Sequence, residues 1–230
     1  MTRVTLTFDN GPEPDVTPRV LDALRERGLQ AHFFVLGKLI AGPAGQALVG
    51  RARDEGHLVG NHSYTHAIPL GRDPRPGAVE AEIVATEALL APLGLDERRF
   101  RPFGGGGAIG PHLLRADAVE YLRALAYTCV LWNSVPRDWE DPIGWPARAL
   151  ADCASRPHTV LVLHDVANAC LAGLPAFLDE ARGRGVEFTL DLPDDCVPLR
   201  RGLVTGDLSP LVADRAWAER AGAPSERSTP

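Results

Sequence analysis

The stretch VTLTFDNGPEPDVTPRVLDALRERGLQAHFFVL, residues 4–36, spells out one strand–helix–strand unit. Val4 to Phe8 is a β-branched and aromatic run, the composition of a strand. Gly11, Pro12 and Pro14 break it. Thr17-Pro18 then supplies an N-cap and a proline for the first helical position. Val20, Leu21 and Leu24 recur at helical spacing, and Gly28 is placed to stop that helix. Ala31 to Leu36 reads as a second strand.

The alternation continues along the chain. Gln46 to Glu55 predicts a helix, and Leu58-Val59 a short strand running into Gly60-Asn61-His62. Val79, Ile83 and Leu90 lie on one face of a helix, with Glu80, Glu82 and Glu87 mostly elsewhere. Phe100 to Phe103 predicts a strand before the glycine run Gly104 to Gly107. His112 to Ala124 predicts a helix, Leu125 to Trp132 a strand, and Trp145 to Ser155 a helix. Thr159 to Leu163 is the continuous apolar run of a strand buried on both faces. Leu171 to Gly183 and Val186 to Leu190 add a last helix and strand. About seven strands alternating with helices imply a parallel α/β sheet, either a barrel or a doubly wound sheet.

A length of 230 residues suits one domain. The expected division is a barrel body over 1–208 and a C-terminal tail over 209–230 whose end is disordered. The chain carries 23 Gly and 20 Pro, well above their average shares of about 7% and 5%, which predicts many special turns. A net charge of -6 and the absence of a basic aromatic stripe argue against nucleic acid as a partner. There is no run of roughly 18 apolar residues, so no membrane span is expected. The opening MTRVTLTF lacks the pattern of a signal peptide, which predicts a cytoplasmic protein. Cys129, Cys153, Cys170 and Cys196 stand singly, which predicts buried free thiols rather than a zinc knuckle or disulfides.

Parallel α/β folds keep their chemistry in the loops after the C-terminal ends of the strands. Those positions hold Asp9 and Asn10, His62 and His66, Arg101, Asp138 and Trp139, and His164 followed by Asp165. His62 and His66, four apart, put both imidazoles on one face of a helix or tight turn, within reach of one ion. Taken singly, each residue also has a bland reading as a turn cap or a core histidine. Converging on one rim, they have the composition of a metal-assisted or acid–base hydrolase.

TFDNGP at 7–12, HSYTH at 62–66, RPFGG at 101–105, RDW at 137–139 and LVLHD at 161–165 resemble the five ordered motifs of the polysaccharide deacetylase family, also called the NodB-homology or carbohydrate esterase 4 family. AHFF at 31–34 resembles that family's second-strand signature. The resemblance implies a single-domain distorted (β/α)7-type barrel with incomplete closure. It also implies hydrolysis of an N-acetyl or related amide C–N bond in a sugar-like or small substrate. Asp9 takes the position of the general base and His164 that of the general acid. Arg101 matches the arginine that orients the base, and Asp138 with Trp139 matches the pair that tunes and shields the acid. His62, His66 and Asn10 take the positions of the ligands of a divalent metal, usually zinc. Phe103, Gly104 and Trp139 fall where the substrate binds. The resemblance gives no oligomeric state.

The chain departs from the family pattern at three places. Asn10 stands where the family has a metal-binding Asp, so the site loses a unit of negative charge and should bind zinc more weakly. That leaves two expectations: an active enzyme with weak or altered metal binding, or an impaired or metal-independent member that binds a small acylated ligand. In RPFGG, Gly104 falls at the family's aromatic position unless the loop is shifted by one residue. In the fourth motif Val135 replaces an earlier Asp. The absence of an export signal and an aromatic content of only 6% favour a small substrate over a long polymer.

Overall fold

The computed structural model describes residues 2–214. Its strands are β1 (Arg3–Asp9), β2 (His32–Val35), β3 (Leu58–Asn61), β4 (Arg99–Phe100), β5 (Thr128–Cys129), β6 (His158–His164), β7 (Glu187–Phe188), β8 (Leu199–Arg200) and β9 (Leu203–Val204). Its α-helices are α1 (Thr17–Arg25), α2 (Gly37–Ile40), α3 (Pro43–Asp54), α4 (Ala85–Leu90), α5 (Ala116–Ala124), α6 (Trp145–Ser155) and α7 (Leu174–Gly183).

One sheet runs in the order β6-β1-β2-β3-β4-β5-β8-β9. From β6 to β5 every pairing is parallel. β1 shares one edge between two partners: β7 pairs with Arg3 and Val4, and β2 with Thr7 to Asp9. The sheet curls until the chain beyond β5 meets β6. There the Val162 N–H donates to the Ser134 carbonyl at 3.0 Å, and Ser134 forms a single bridge with Leu161. One bridge in place of a full ladder is incomplete closure of an α/β barrel, as the family resemblance implied.

The antiparallel pair β8–β9 is an addition to that reading. Several predicted elements are also shorter: α5 begins at Ala116 rather than His112, and β4 and β5 each span two residues. Pro102 and the glycines after it have left the ladder, which is why the strand predicted to reach Phe103 stops at Phe100.

Alternation along β1 sorts its side chains between two environments. Val4, Leu6 and Phe8 belong to a core shared with Leu21 and Leu24 of α1 and Phe177 of α7. Thr5, Thr7 and Asp9 point to the other side and are nonetheless buried. β6 does the same, with Leu161 and Leu163 in that core and Val160 and Val162 in a second one containing Phe100, Leu122 and Leu199. Leu211 and Val212 also pack into the second core, so the packed body runs past the 208 boundary read from sequence. The expected disordered end lies outside the described residues. All four cysteines are free and buried, and no helix among the described residues is long and apolar enough to cross a membrane.

Candidate active site

The parallel register sets up the site before any side chain is considered. Asp9 is the last residue of β1, His164 the last of β6, and the two are register partners. Neighbours in register put their side chains on the same face, so the carboxylate and the imidazole emerge together at the C-terminal rim. His62 follows β3 directly, and its N–H donates to the Val35 carbonyl of β2. Arg101 follows β4, with its N–H on the Asn61 carbonyl at 3.0 Å.

Arg101 is wholly buried and ties the rim together. Its Nη1 donates to Asp9 Oδ1 at 2.9 Å and to Thr7 Oγ1 at 2.5 Å, its Nη2 to the Leu131 carbonyl at 3.1 Å and its Nε to the Val130 carbonyl at 3.3 Å. The guanidinium lies over the Phe34 ring, 4.2 Å from its centroid. Such a fork fixes the Asp9 carboxylate in one orientation. The Arg101 backbone does a second job: its carbonyl accepts from His62 Nδ1 at 2.8 Å. That bond leaves the His62 Nε2 lone pair free, as a ligand requires. Nε2 lies 3.6 Å from Asp9 Oδ2.

His62 and His66 are brought together by a tight turn and not by a helix, with ring centroids 4.9 Å apart. Ser63 and His66 have positive φ, 72° and 55°, uncommon for residues other than Gly, although His shares with Asn and Asp a raised tolerance for it. The turn is held by Glu82, which sequence reading placed away from the buried face. It is 1% exposed. Its Oε2 accepts the Tyr64 and Thr65 N–H groups, and its Oε1 accepts the Thr65 hydroxyl and Arg75. Burial drives both imidazoles toward the neutral form: His62 is pulled down, and His66 falls to about 2, with His62, His164 and Lys38 adding to the effect.

Asn10 sits in the left-handed region, φ 75°. Asn and Asp are both favoured there, so the backbone does not choose between them. Its Oδ1 is buried and accepts no hydrogen bond. A buried acceptor without a partner costs roughly 1–3 kcal/mol, and Asn10 lines the same cavity as His62 and His66.

His164 Nδ1 donates to Asp138 Oδ1 at 2.8 Å, while its backbone N–H donates to Asp138 Oδ2 at 2.8 Å. Burial pulls the His164 pKa down. The bond and charge of Asp138, with the charges of Asp9 and Asp165, outweigh it and leave the pKa raised. Trp139 meets the His164 ring edge-on at 4.8 Å. Phe103 lies against His66, centroids 3.7 Å apart. Gly104 rests on Trp132, where an added Cβ would come within 2.6 Å of the indole.

One further group escaped the sequence reading: Thr7, which shares Nη1 of Arg101 with Asp9. Asp165, placed at the rim by the sequence without a role, is buried beneath the Asn10-Gly11 turn, accepts the Thr17 hydroxyl at 2.6 Å and is pushed up to about 6 by burial. A Cβ on Gly11 would come within 2.1 Å of its carboxylate, so only glycine fits there.

The rim encloses a cavity of about 240 Å³ lined by Asp9, Asn10, His62, His66 and His164 on its polar side. Fold and site together define an α/β barrel with a carboxylate, an imidazole–carboxylate pair and two neutral imidazoles facing one pocket. The sequence pattern described as polysaccharide deacetylase matches residues 2–130. The chain is 35% identical over 167 residues to a chitooligosaccharide deacetylase of Rhizobium leguminosarum bv. phaseoli, covering 70% of this chain and 66% of that protein. It is 29% identical over 191 residues to a peptidoglycan-N-acetylglucosamine deacetylase of Listeria monocytogenes, covering 82% of this chain and 38% of that protein. Among solved structures, a family 4 carbohydrate esterase from Streptomyces lividans in complex with acetate aligns with TM-score 0.67 at 28% identity, covering 87% of this chain and 98% of that one. The chain belongs to the polysaccharide deacetylase family.

Proposed function

We propose that this chain hydrolyses an amide C–N bond of a small N-acyl compound, such as an N-acetylated amino sugar. The observation that carries this reading is the pairing of Asp9, clamped by Arg101, with His164, clamped by Asp138, on neighbouring strand ends above one cavity. Asp9 accepts the proton of the attacking water. His164, whose pKa Asp138 raises against the effect of burial, delivers a proton to the leaving nitrogen. Arg101 keeps the Asp9 carboxylate aimed into the cavity, and Trp139 shields the imidazole from solvent.

Among the described residues no three His, Cys, Asp or Glu side chains gather as an ion site. The unpartnered Asn10 carboxamide oxygen, on a cavity that His62 and His66 also line, nevertheless fits a divalent cation such as zinc, which Asn10, His62 and His66 would hold. When bound, such an ion polarises the acyl carbonyl and lowers the pKa of water. Position 10 also favours a second reading, an impaired member that binds an acylated ligand without turning it over.

One variant separates the two readings. Asn10→Asp restores a charge directly at the ion. Its effect on Zn²⁺ affinity is expected to exceed the 10- to 100-fold that outer hydrogen-bond partners of a ligand carry. Competition against a chromophoric chelator measures it, alongside acetate release from N-acetylglucosamine oligomers. Tighter binding with acetate release in both forms supports the active enzyme. Release only in the variant supports the impaired member, and unchanged affinity means that position 10 does not face the ion.

A further inference from the structure

We infer that Glu82 is a positioning residue for the ion site: its carboxylate fixes the backbone that carries His66, while His62 is held independently. The inference rests on the reading of Asn10, His62 and His66 as metal ligands, and adds a residue that acts through one of them.

The two imidazoles are anchored differently. His62 is tied down twice, by its N–H on the Val35 carbonyl at 2.9 Å and by its ring Nδ1 on the Arg101 carbonyl at 2.8 Å. His66 is in contact with the rings of Phe103 and of His62 itself. Its place is therefore set by the chain that leads into it, and that chain is bonded to groups outside the turn. The Ser63 and Tyr64 carbonyls accept the N–H groups of Gly37 and Lys38, and the Thr65 carbonyl accepts from Lys38 Nζ. The donors go to Glu82. The Tyr64 and Thr65 N–H groups reach Oε2 at 3.1 and 2.8 Å, and the Thr65 hydroxyl reaches Oε1 at 2.7 Å. One carboxylate thus takes three donors from the two residues that precede His66.

Glu82 is itself firmly placed. It stands in a π-helical stretch, Glu80–Val84, a rare conformation that is frequent at functional sites. Arg75 Nη2 donates to its Oε1 at 3.0 Å and also to Asp73. Burial pushes the Glu82 pKa up, but the bonds from Thr65, Arg75 and Tyr64 outweigh it and leave the pKa lowered. The oxygens therefore accept as a carboxylate, which makes the bonds to the turn stronger than neutral ones. Ser63 and His66 both lie in the left-handed region, and such backbone persists where its surroundings over-determine it.

Chelator competition for Zn²⁺ compares the unsubstituted chain with Glu82→Gln and Thr65→Val. The first turns one acceptor into a donor that must face either the turn or Arg75. The second deletes one bond at nearly equal volume. Affinity is expected to fall about tenfold in Glu82→Gln. That is the lower edge of the range of about 10- to 100-fold for outer hydrogen-bond partners, because Glu82 holds the ligand's backbone and not its ring. A fall of about threefold is expected in Thr65→Val, which loses one bond of the set. Imidazole NMR spectra of the metal-free proteins give the second readout. In Glu82→Gln the His66 signals should broaden, while the His62 Nδ1–H stays protected against exchange. Unchanged affinity in Glu82→Gln overturns the inference. So does loss of the His62 protection together with the His66 signals, which would make Glu82 a support of the whole fold. Should Glu82→Gln not fold, Thr65→Val decides by the same two measurements. If the unsubstituted chain binds no Zn²⁺, the metal reading fails, and the spectra alone decide whether Glu82 sets His66.

Discussion

Alanine at His164 is expected to lower kcat by about 10²–10⁴-fold, the range that a positioned proton donor contributes, while leaving Zn²⁺ affinity unchanged. The imidazole is the group that Asp138 holds from two directions, through Nδ1 and through the backbone N–H. In the proposed mechanism, removing the ring would delete the donor to the leaving nitrogen but leave Asn10, His62 and His66 in place. Steady-state kinetics with a parallel metal titration checks both halves. Full activity in the variant would take His164 out of the acid role.

Asp138→Asn tests the same pair through pH. The acid must be protonated to act, so activity falls as pH rises through the His164 pKa, which the folded protein raises. Without the Asp138 charge the opposing effect of burial dominates, and the falling limb of the profile should move to lower pH. Linkage gives the matching sign for stability. With a folded pKa above the unfolded value of about 6.5, the contribution of the pair is complete below that pH. It is lost as pH climbs through the raised folded value. A falling limb that stays in place in Asp138→Asn assigns that limb to another group.

The rim was readable because a parallel sheet delivers its strand ends to one place, and four of the five motifs end or begin at the end of a strand, while RDW lies eight residues beyond β5. That Asp9 and His164 are neighbours needed the β1–β6 pairing, which the sequence did not give. Thr7 was as visible as the rim, since VTLTFD alternates apolar and polar residues and puts positions 5, 7 and 9 on one face, yet a threonine in a strand is ordinarily a β former and nothing more. Glu82 carried the opposite signal. Acidic residues on helices are mostly solvated, and its partners, Tyr64 and Thr65, lie a long way back in the chain. The β8–β9 hairpin was hidden because its strands have two residues each. Its turn, Arg201-Gly202, has both φ values positive but lacks the Asn-Gly or Asp-Gly pair that marks such turns.

Methionine at Arg101 is expected to destabilise the fold by about 3–5 kcal/mol, the cost of breaking a buried ion pair from one side, or roughly 6–20 °C in Tm for a chain of this length. The reason is the partners left behind. Asp9 would remain 4% exposed with its charge uncompensated, and the carbonyls of Val130 and Leu131 would lose their donors. Arg101→Lys keeps the charge but not the planar fork, so it should recover only part of the loss. Asp9→Asn in the Arg101→Met background removes the stranded charge, and the double variant should be more stable than the two single losses added together. Urea unfolding of the four proteins gives this coupling directly. Additive losses, or a single loss below about 1 kcal/mol, would mean that Asp9 is held by the strand ends and not by Arg101. The same cycle read in kcat distinguishes orientation from folding. If the arginine aims the base, Arg101→Lys should lose activity at temperatures where it remains fully folded.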